Sequence, residues 1–358
     1  MTKPQLLIHI GHGKTGSTAI QRMLDVSRAP LEQAGVVVAE ADGHANHQQI
    51  FAFLTDLPKQ NLPAYQDADR EMEKARNDGA RLWARLQERI EAVQPTLVIL
   101  SCENQFRPYP PEAFARMNAA LAPHFDDVRV MAYLRAPASY FLSAAQQDLK
   151  KRPEFELPSA SRFRDTLEPW GQHGPGPIEV RRFARDALEG GDVVTDFIAR
   201  DLPMIDPAAL RRGPDDENET VSPEAMEVLQ QYFRGQIRAP HRHYDRRPQR
   251  YKWLVRHADA VVPGQRKPRL LPGLREVIEA RCTDLDWLAE THGLRFPEIG
   301  APAMPREEAE ARHAALRDVA QICTVDAARK QALLDEIARR ARAETGPLAR
   351  IRSLFGGR

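Results

Sequence analysis

Short apolar runs alternate with helical patterns through the first half of this chain. Gln5–Ile10 is a short apolar strand, and the positions from Gly16 to about Ser27 read as a helix with Ile20, Met23 and Leu24 at helical spacing. Val36–Ala39 is a second short strand of buried type, followed by a mixed stretch rich in His and Gln (His44, Asn46, His47, Gln48, Gln49). Asp67–Val93 is a long charged helix or helix pair, with Met72, Leu82, Trp83, Leu86 and Ile90 as its inward positions. Thr96–Leu100 and Val128–Leu134 are the third and fourth strands, and Ile178–Phe183 is a candidate fifth. Helices are expected over Pro111–Leu121 and from Pro137 to about Lys151, since proline suits a first helical position.

Strands alternating with helices predict an α/β domain with a central, mainly parallel sheet flanked by helices. Beyond Phe183 the pattern turns helical. Arg211–Glu219 is a polar loop, and Ser222-Pro223-Glu224 is a helix start with a capping hydroxyl, a proline and an acid in order. Asp245–Gly264 is basic and aromatic, and amphipathic helices run from Arg306 onward. The expected division is an α/β domain over 1–297, with helical insertions, and a helical C-terminal extension over 298–358.

The loop Gly11-His12-Gly13-Lys14-Thr15-Gly16-Ser17-Thr18 joins the first strand to the first helix. Exposed N–H groups at a helix start carry partial positive charge and bind anions. Glycines let a phosphate approach the backbone, Lys14 adds a full charge, and Ser17 and Thr18 add hydroxyl donors. The common nucleotide-triphosphate loop is Gly-x4-Gly-Lys-Ser/Thr. Here Gly16 is followed by Ser17, the lysine stands upstream at Lys14, and no aspartate follows the third strand, which leads into Ser101-Cys102-Glu103. ATP or GTP hydrolysis is therefore the weaker reading, and a Gly-rich turn without a ligand is the bland one.

A second anion motif follows the fourth strand. Arg135 stands at the strand's carboxyl end, where open α/β sheets bind ligands, and Ser139 and Ser143 share a face of the next helix. Taken alone, Arg135 reads as a structural ion pair and Ser143 as a small packing residue. Together with the loop they describe a ligand with two separated phosphate groups, because arginine grips phosphate with a planar fork.

These residues resemble a known family. KTGST at 14–18 after an apolar strand is similar to the 5′-phosphosulfate loop of sulfotransferases that use 3′-phosphoadenosine 5′-phosphosulfate (PAPS), a family with a P-loop NTPase-like fold. RAPASYFLS, from Arg135 to Ser143, resembles that family's 3′-phosphate motif, including its spacing. VRRFARDALEGGDVVTDFI, NETVSPEAMEVL and DLDWLAETHGLRFP resemble bacterial-type members, so the likeness covers about residues 5–297. The glycine/lysine lid of many members is not evident, and Pro263-Gly264-Gln265-Arg266-Lys267 is its candidate substitute.

The resemblance implies that Gly13, Lys14, Thr15, Gly16, Ser17 and Thr18 hold the 5′ end of PAPS, that Arg135 and Ser143 hold the 3′-phosphate, and that a sulfuryl group moves to a hydroxyl or amine without a metal, leaving adenosine 3′,5′-bisphosphate. Lys14 would stabilise the leaving group. The acceptor needs a general base, and the order of candidates is His47, then Glu103, then His44, since an imidazole near its ordinary pKa accepts protons at neutral pH. The competing readings are a capping or solvated His47 and a structurally paired Glu103.

Composition narrows the partners. A formal net charge of +1 gives no global case for nucleic acid, and 42% hydrophobic residues allow a sizeable core. The three cysteines, Cys102, Cys282 and Cys323, form no CxxC and suit a reducing compartment. No apolar run approaches a membrane span, and Leu6–Ile10 is too short for a signal-peptide core, so a soluble cytoplasmic protein is expected. The basic stretch Arg238–Arg256, with Tyr244, Tyr251 and Trp253 as stacking groups, would suit an acidic or sugar-like acceptor if it lines the cleft. Carbohydrate, lipid and small-molecule acceptors all remain open, and the C-terminal helices offer a route to a homo-oligomer. Ala349–Phe355 reads as a frayed end rather than a membrane contact. The alternatives to a sulfotransferase are a P-loop kinase or NTPase and a non-catalytic nucleotide-binding protein.

Overall fold

The computed structural model describes residues 3–42, 45–57, 68–213, 220–241, 244 and 247–345. Two compact units share the chain. The first is built from 1–136, 160–215 and 283–298, and the second from 137–159, 216–282 and 299–358. The second unit thus takes two segments earlier than 299 as well as the C-terminal region.

The first unit holds a five-stranded sheet: β1 (Gln5–His9), β2 (Val36–Val38), β3 (Leu97–Ser101), β4 (Asp127–Leu134) and β5 (Ile178–Arg182). Its order is β2-β3-β1-β4-β5, and every pairing is parallel. All five expected strands are present. The central β1 carries Leu6, Leu7 and Ile8, whereas the edge strand β5 reads IEVRR. Leu7, Leu97, Ile99, Met131 and Tyr133 point into one core with α1 (Ser17–Val26), α2 (Arg28–Gln33) and α8 (Val193–Asp201). The alternate positions Leu6, Ile8, Val98 and Leu100 are equally inaccessible, so the sheet is covered on both faces.

The remaining helices of this unit are α3 (Gln48–Thr55), α4 (Ala68–Val93), α5 (Pro111–Leu121), α7 (Arg162–His173) and α12 (Leu285–His292). The long charged segment is one helix rather than two. The His/Gln-rich stretch contains α3, which buries Ile50, Phe51 and Leu54. Gly79 of α4 packs so closely on α3 that a Cβ there would stand 2.1 Å from the Gln49 carbonyl oxygen.

The second unit is helical: α6 (Pro137–Leu149), α9 (Pro223–Phe233), α10 (Pro248–Asp259), α11 (Leu274–Ala280), α13 (Arg306–Ala314), α14 (Val319–Ile322) and α15 (Ala327–Thr345). Ser222 caps α9 as expected, its hydroxyl accepting the Ala225 N–H at 3.1 Å. The core of this unit joins Phe141 and Ala145 of α6, Val228 and Leu229 of α9, Leu254 and Val255 of α10, and Leu333 and Ile337 of α15. Among the described residues no helix is long and apolar enough to cross a membrane. Ala349–Phe355, and much of the loop Arg211–Glu219, lie outside the described residues.

Candidate functional site

The strand order creates a crevice. From β1 the chain moves toward the β3 side to form β2, while from β3 it crosses to β4 on the other side of β1. Adjacent strands whose connections diverge leave an opening at their carboxyl ends. The ends of β1 and β3 are the Gly11–Thr18 loop and Ser101-Cys102-Glu103.

The loop is shaped by four left-handed residues: Gly11 (φ 47°), Gly13 (φ 70°), Lys14 (φ 59°) and Gly16 (φ 77°). A Cβ on Gly11 would stand 2.6 Å from the Ser17 hydroxyl and 3.0 Å from the Cα of Glu103, so the glycine is what lets the loop, the α1 start and the β3 end converge. Gly16 caps α1 without a side-chain hydrogen bond, and no acidic residue occupies the first turn. Among the described residues no acceptor meets the N–H groups of Gly13, Thr15, Gly16, Ser17 or Thr18. The Thr15 and Ser17 hydroxyls are buried and also lack partners there, while Thr18 is exposed. Buried donors without acceptors are costly, and a helix start that gathers several of them is built for an anion.

Two arginines converge on this loop. Arg135 donates from Nη1 to the Lys14 carbonyl at 3.1 Å, and its guanidinium lies 5.9 Å from the Phe183 ring centre. Burial lowers its pKa, and no carboxylate pairs with it among the described residues. Its backbone N–H points at His12 Nδ1, 3.3 Å away, while Arg162 Nε lies 3.3 Å from His12 Nε2. Phe106 and Phe163 flank the His12 ring, with centroids at 4.8 and 5.3 Å. Burial, then Arg162, then Arg135 push the His12 pKa well below its ordinary value, so the ring is a neutral strut between two cations. His12, Arg162, Phe106 and Phe163 were not singled out from sequence. Arg162 stands 150 positions from His12, and no local periodicity announces that pair.

The base candidates separate clearly. His47 supplies Nδ1 as acceptor for the Ser101 N–H at 2.8 Å, and its own N–H donates to the Ser101 carbonyl at 3.2 Å. It thereby continues the β2 edge of the sheet after the chain leaves at Ala39 and returns. With Nδ1 occupied, the neutral ring carries its proton on Nε2, and neither nitrogen can take another. Burial above all, then Arg28, lowers its pKa to about 3, against smaller opposing effects of the Ala39 carbonyl and Asp25. Glu103 instead begins a short 3₁₀ turn, half-buried and directly beside the loop at Gly11. His44 lies outside the described residues.

Beneath the loop, the Ser101 hydroxyl meets His9 Nδ1 at 2.8 Å and accepts from Gln21 Nε2 at 3.2 Å. Burial and then Arg181 lower the His9 pKa to about 3. Burial also pushes the Cys102 thiol up to about 12, so it is no nucleophile.

Ser143 lies half-buried on α6 in the second unit, whereas Arg135 belongs to the first. In the basic stretch, Tyr244 and Tyr251 are core residues of the second unit, 0% and 1% exposed, so they are not stacking surfaces; Trp253 is the exposed member. Tyr251, Leu254, Val255 and Ala258 carry the helical spacing that foretells this burial. Within the candidate lid segment, the Pro263 carbonyl accepts from Arg329 at 3.1 Å and Arg266 donates to the Thr220 carbonyl at 3.3 Å. No cluster of three metal-ligating side chains occurs among the described residues.

The first unit is thus a parallel α/β domain with a glycine-rich loop at its topological switch point. No family model matches the chain, and no curated protein sequence does. Among solved structures, the sulfotransferase domain from the curacin biosynthetic pathway is similar over 57% of this chain and 72% of that one, at 13% identity and a TM-score of 0.29. A sulfotransferase from Alicyclobacillus acidocaldarius is similar over 64% of this chain and 95% of that one, at 14% identity and a TM-score of 0.29. At this level of similarity the chemistry is read from the chain's own residues.

Proposed function

We propose that the protein is a PAPS-dependent sulfotransferase, moving a sulfuryl group to a hydroxyl or amine of a carbohydrate, lipid or small-molecule acceptor. The observation that carries the reading is the pair of buried hydroxyls, Thr15 and Ser17, without partners at the uncapped start of α1. They fit the oxygens of a phosphate-like group, and the neighbouring backbone N–H groups fit the same group. The lysine position within KTGST distinguishes this loop from the triphosphate pattern and supports the phosphosulfate choice.

PAPS, when bound, supplies an activated sulfuryl group on a phosphate leaving group. Lys14 and the loop N–H groups stabilise the negative charge that builds on that phosphate as its bond to sulfur breaks. Glu103 is the base we assign, in place of His47, because it stands at the loop while His47 Nδ1 already accepts the Ser101 N–H. Its carboxylate takes the acceptor proton as the new oxygen–sulfur bond forms. In this reading Arg135 turns the remaining edge of its guanidinium toward the 3′-phosphate.

The test is a thermal-shift comparison of adenosine 3′,5′-bisphosphate with ATP, ADP and AMP. Stabilisation by the bisphosphate well above the other three is expected, and Arg135→Ala should remove the preference for the 3′-phosphate. Preferential stabilisation by ATP, with Mg²⁺-dependent turnover, would establish a P-loop kinase or NTPase instead. Bisphosphate binding without transfer to any of a broad acceptor panel would mark a non-catalytic nucleotide-binding protein.

A further inference from the structure

The second unit carries a surface that the loop chemistry does not use. On α10, Tyr251, Leu254, Val255 and Ala258 are buried in the core, and the opposite face presents Arg250, Trp253 and His257. Val261 follows in the turn that continues the helix, where its N–H bonds to the Ala258 carbonyl at 3.1 Å. These positions fall on one stripe at helical spacing. Trp253 and Val261 are among the few large apolar side chains left exposed, at 36% and 55%.

The indole of Trp253 is sandwiched. The Arg250 guanidinium carbon lies 4.2 Å from its ring centre, and the His257 ring centre lies 3.9 Å away at an interplanar angle of 29°. Two groups that close to one ring centre cannot share a face, so Arg250 covers one side and His257 the other. Arg250 also pairs with Glu344 at 3.1 Å, and His257 Nδ1 meets the Trp253 carbonyl at 2.8 Å. Arg247 and Lys252 on the same segment, and Lys151 near Lys252, have no carboxylate partner among the described residues. Lys252 feels Lys151 as a like charge: its pKa is lowered, first by burial and then by that neighbour. Arg250 is neutralised by Glu344, and Arg247, Lys252 and Lys151 are not paired with a carboxylate among the described residues.

We propose that this stripe docks the protein on a bilayer surface rich in anionic lipid, with headgroup phosphates over Arg247, Lys252 and Lys151 and with Trp253 and Val261 at the headgroup level. Sugar rings and nucleic-acid bases stack on open aromatic faces, and both faces of this indole are occupied. An exposed valine contributes to burial among lipid groups and offers nothing to a soluble polyanion. Attraction to anionic headgroups grows with each cation near the surface. The inference is independent of the loop site and of the activity proposed for it.

Sedimentation of the full chain with vesicles tests it, comparing pure phosphatidylcholine with phosphatidylcholine containing phosphatidylglycerol, and with dextran sulfate as a soluble competitor. Binding to the anionic vesicles alone, reversed by salt, is expected. The double variant Arg247→Glu/Lys252→Glu should lower partitioning by about tenfold or more, and Trp253→Ala should lower it several-fold with an unchanged melting temperature. Should Trp253→Ala melt earlier, Val261→Ser provides the same readout at a more exposed position. Binding to neither vesicle, or equally to both, overturns the proposal. So does retained partitioning in both apolar variants together with full displacement by dextran sulfate, which would identify a soluble polyanion as the partner.

Discussion

Two buried polar clusters, one in each unit, are treated in opposite ways. In the helical unit, the buried guanidinium of Arg329 donates to Ser222 Oγ at 2.6 Å, Glu224 Oε2 at 2.7 Å, Asp259 Oδ1 at 2.9 Å and the Pro263 carbonyl at 3.1 Å. The carboxylates are answered in turn: Glu224 accepts the Asp326 N–H at 2.9 Å, and Asp259 accepts the Ser222 N–H at 2.9 Å. At the loop of the α/β unit, the Thr15 and Ser17 hydroxyls are buried without hydrogen-bond partners among the described residues. A closed network holds helices together, whereas an open one holds a place for something else. The contrast separates residues whose loss should unfold the protein from residues whose loss should empty a site.

The largest effect is expected in the closed network. Arg329→Ala leaves the buried Glu224 without a cation and Asp259 with only Arg266 at 3.7 Å, which should cost roughly 3 kcal/mol of stability or more. A urea unfolding curve measures it. A loss below about 1 kcal/mol would mean that water compensates these carboxylates, and the contrast between the units would fail.

Next comes the loop. Lys14→Ala should lower kcat/KM for sulfuryl transfer by roughly a hundredfold or more while leaving the urea midpoint unchanged. The substituted position keeps its left-handed backbone, so a circular-dichroism spectrum should accompany the kinetics. Near-normal rates with intact folding would remove Lys14 from the mechanism.

A smaller effect sharpens the comparison most directly. Thr15→Val and Ser17→Ala each delete a buried hydroxyl that has no partner among the described residues. Without ligand, either variant should be as stable as the parent or more so, since a desolvation cost disappears. Affinity for adenosine 3′,5′-bisphosphate should fall by about tenfold in each. Calorimetric titration beside a thermal melt reads both quantities. A loss of apo stability with unchanged affinity would turn these hydroxyls into structural groups.

Much of this was legible in the sequence because it is local. The buried strands are mostly apolar, Pro111 and Pro137 open helices, and Gly11–Thr18 concentrates the residue types that shape an anion loop. What stayed hidden is non-local. That α6 joins the core of the second unit depends on Val228, Leu229 and Val277, far along the chain. Arg162 reaches the loop only because α7 folds back to it, and His47 reads as a polar loop residue until its ring is seen filling a strand position. The aromatic-basic run around α10 reads as one surface, yet helical geometry sends Tyr251 inward and Trp253 outward.

The smallest effect concerns protons. His9 and His47 have pKa values of about 3 in the folded protein, below the ordinary 6.5, so protonation favours the unfolded chain. The stability that depends on their neutrality is fully present above 6.5 and is lost progressively as pH falls from there toward 3. Between about pH 7 and about pH 6 the loss should stay below about 1 kcal/mol per histidine. His47→Gln keeps an acceptor for the Ser101 N–H but cannot be protonated, so its urea midpoint should vary less steeply with pH than the parent's. The same variant should retain transfer activity, because the base assigned to the reaction is Glu103; Glu103→Gln should lose it while still binding the bisphosphate. If instead His47→Gln abolishes transfer and leaves the pH slope untouched, His47 belongs with the open groups that meet the ligand. It would then no longer belong with the ladder that holds β2 to β3.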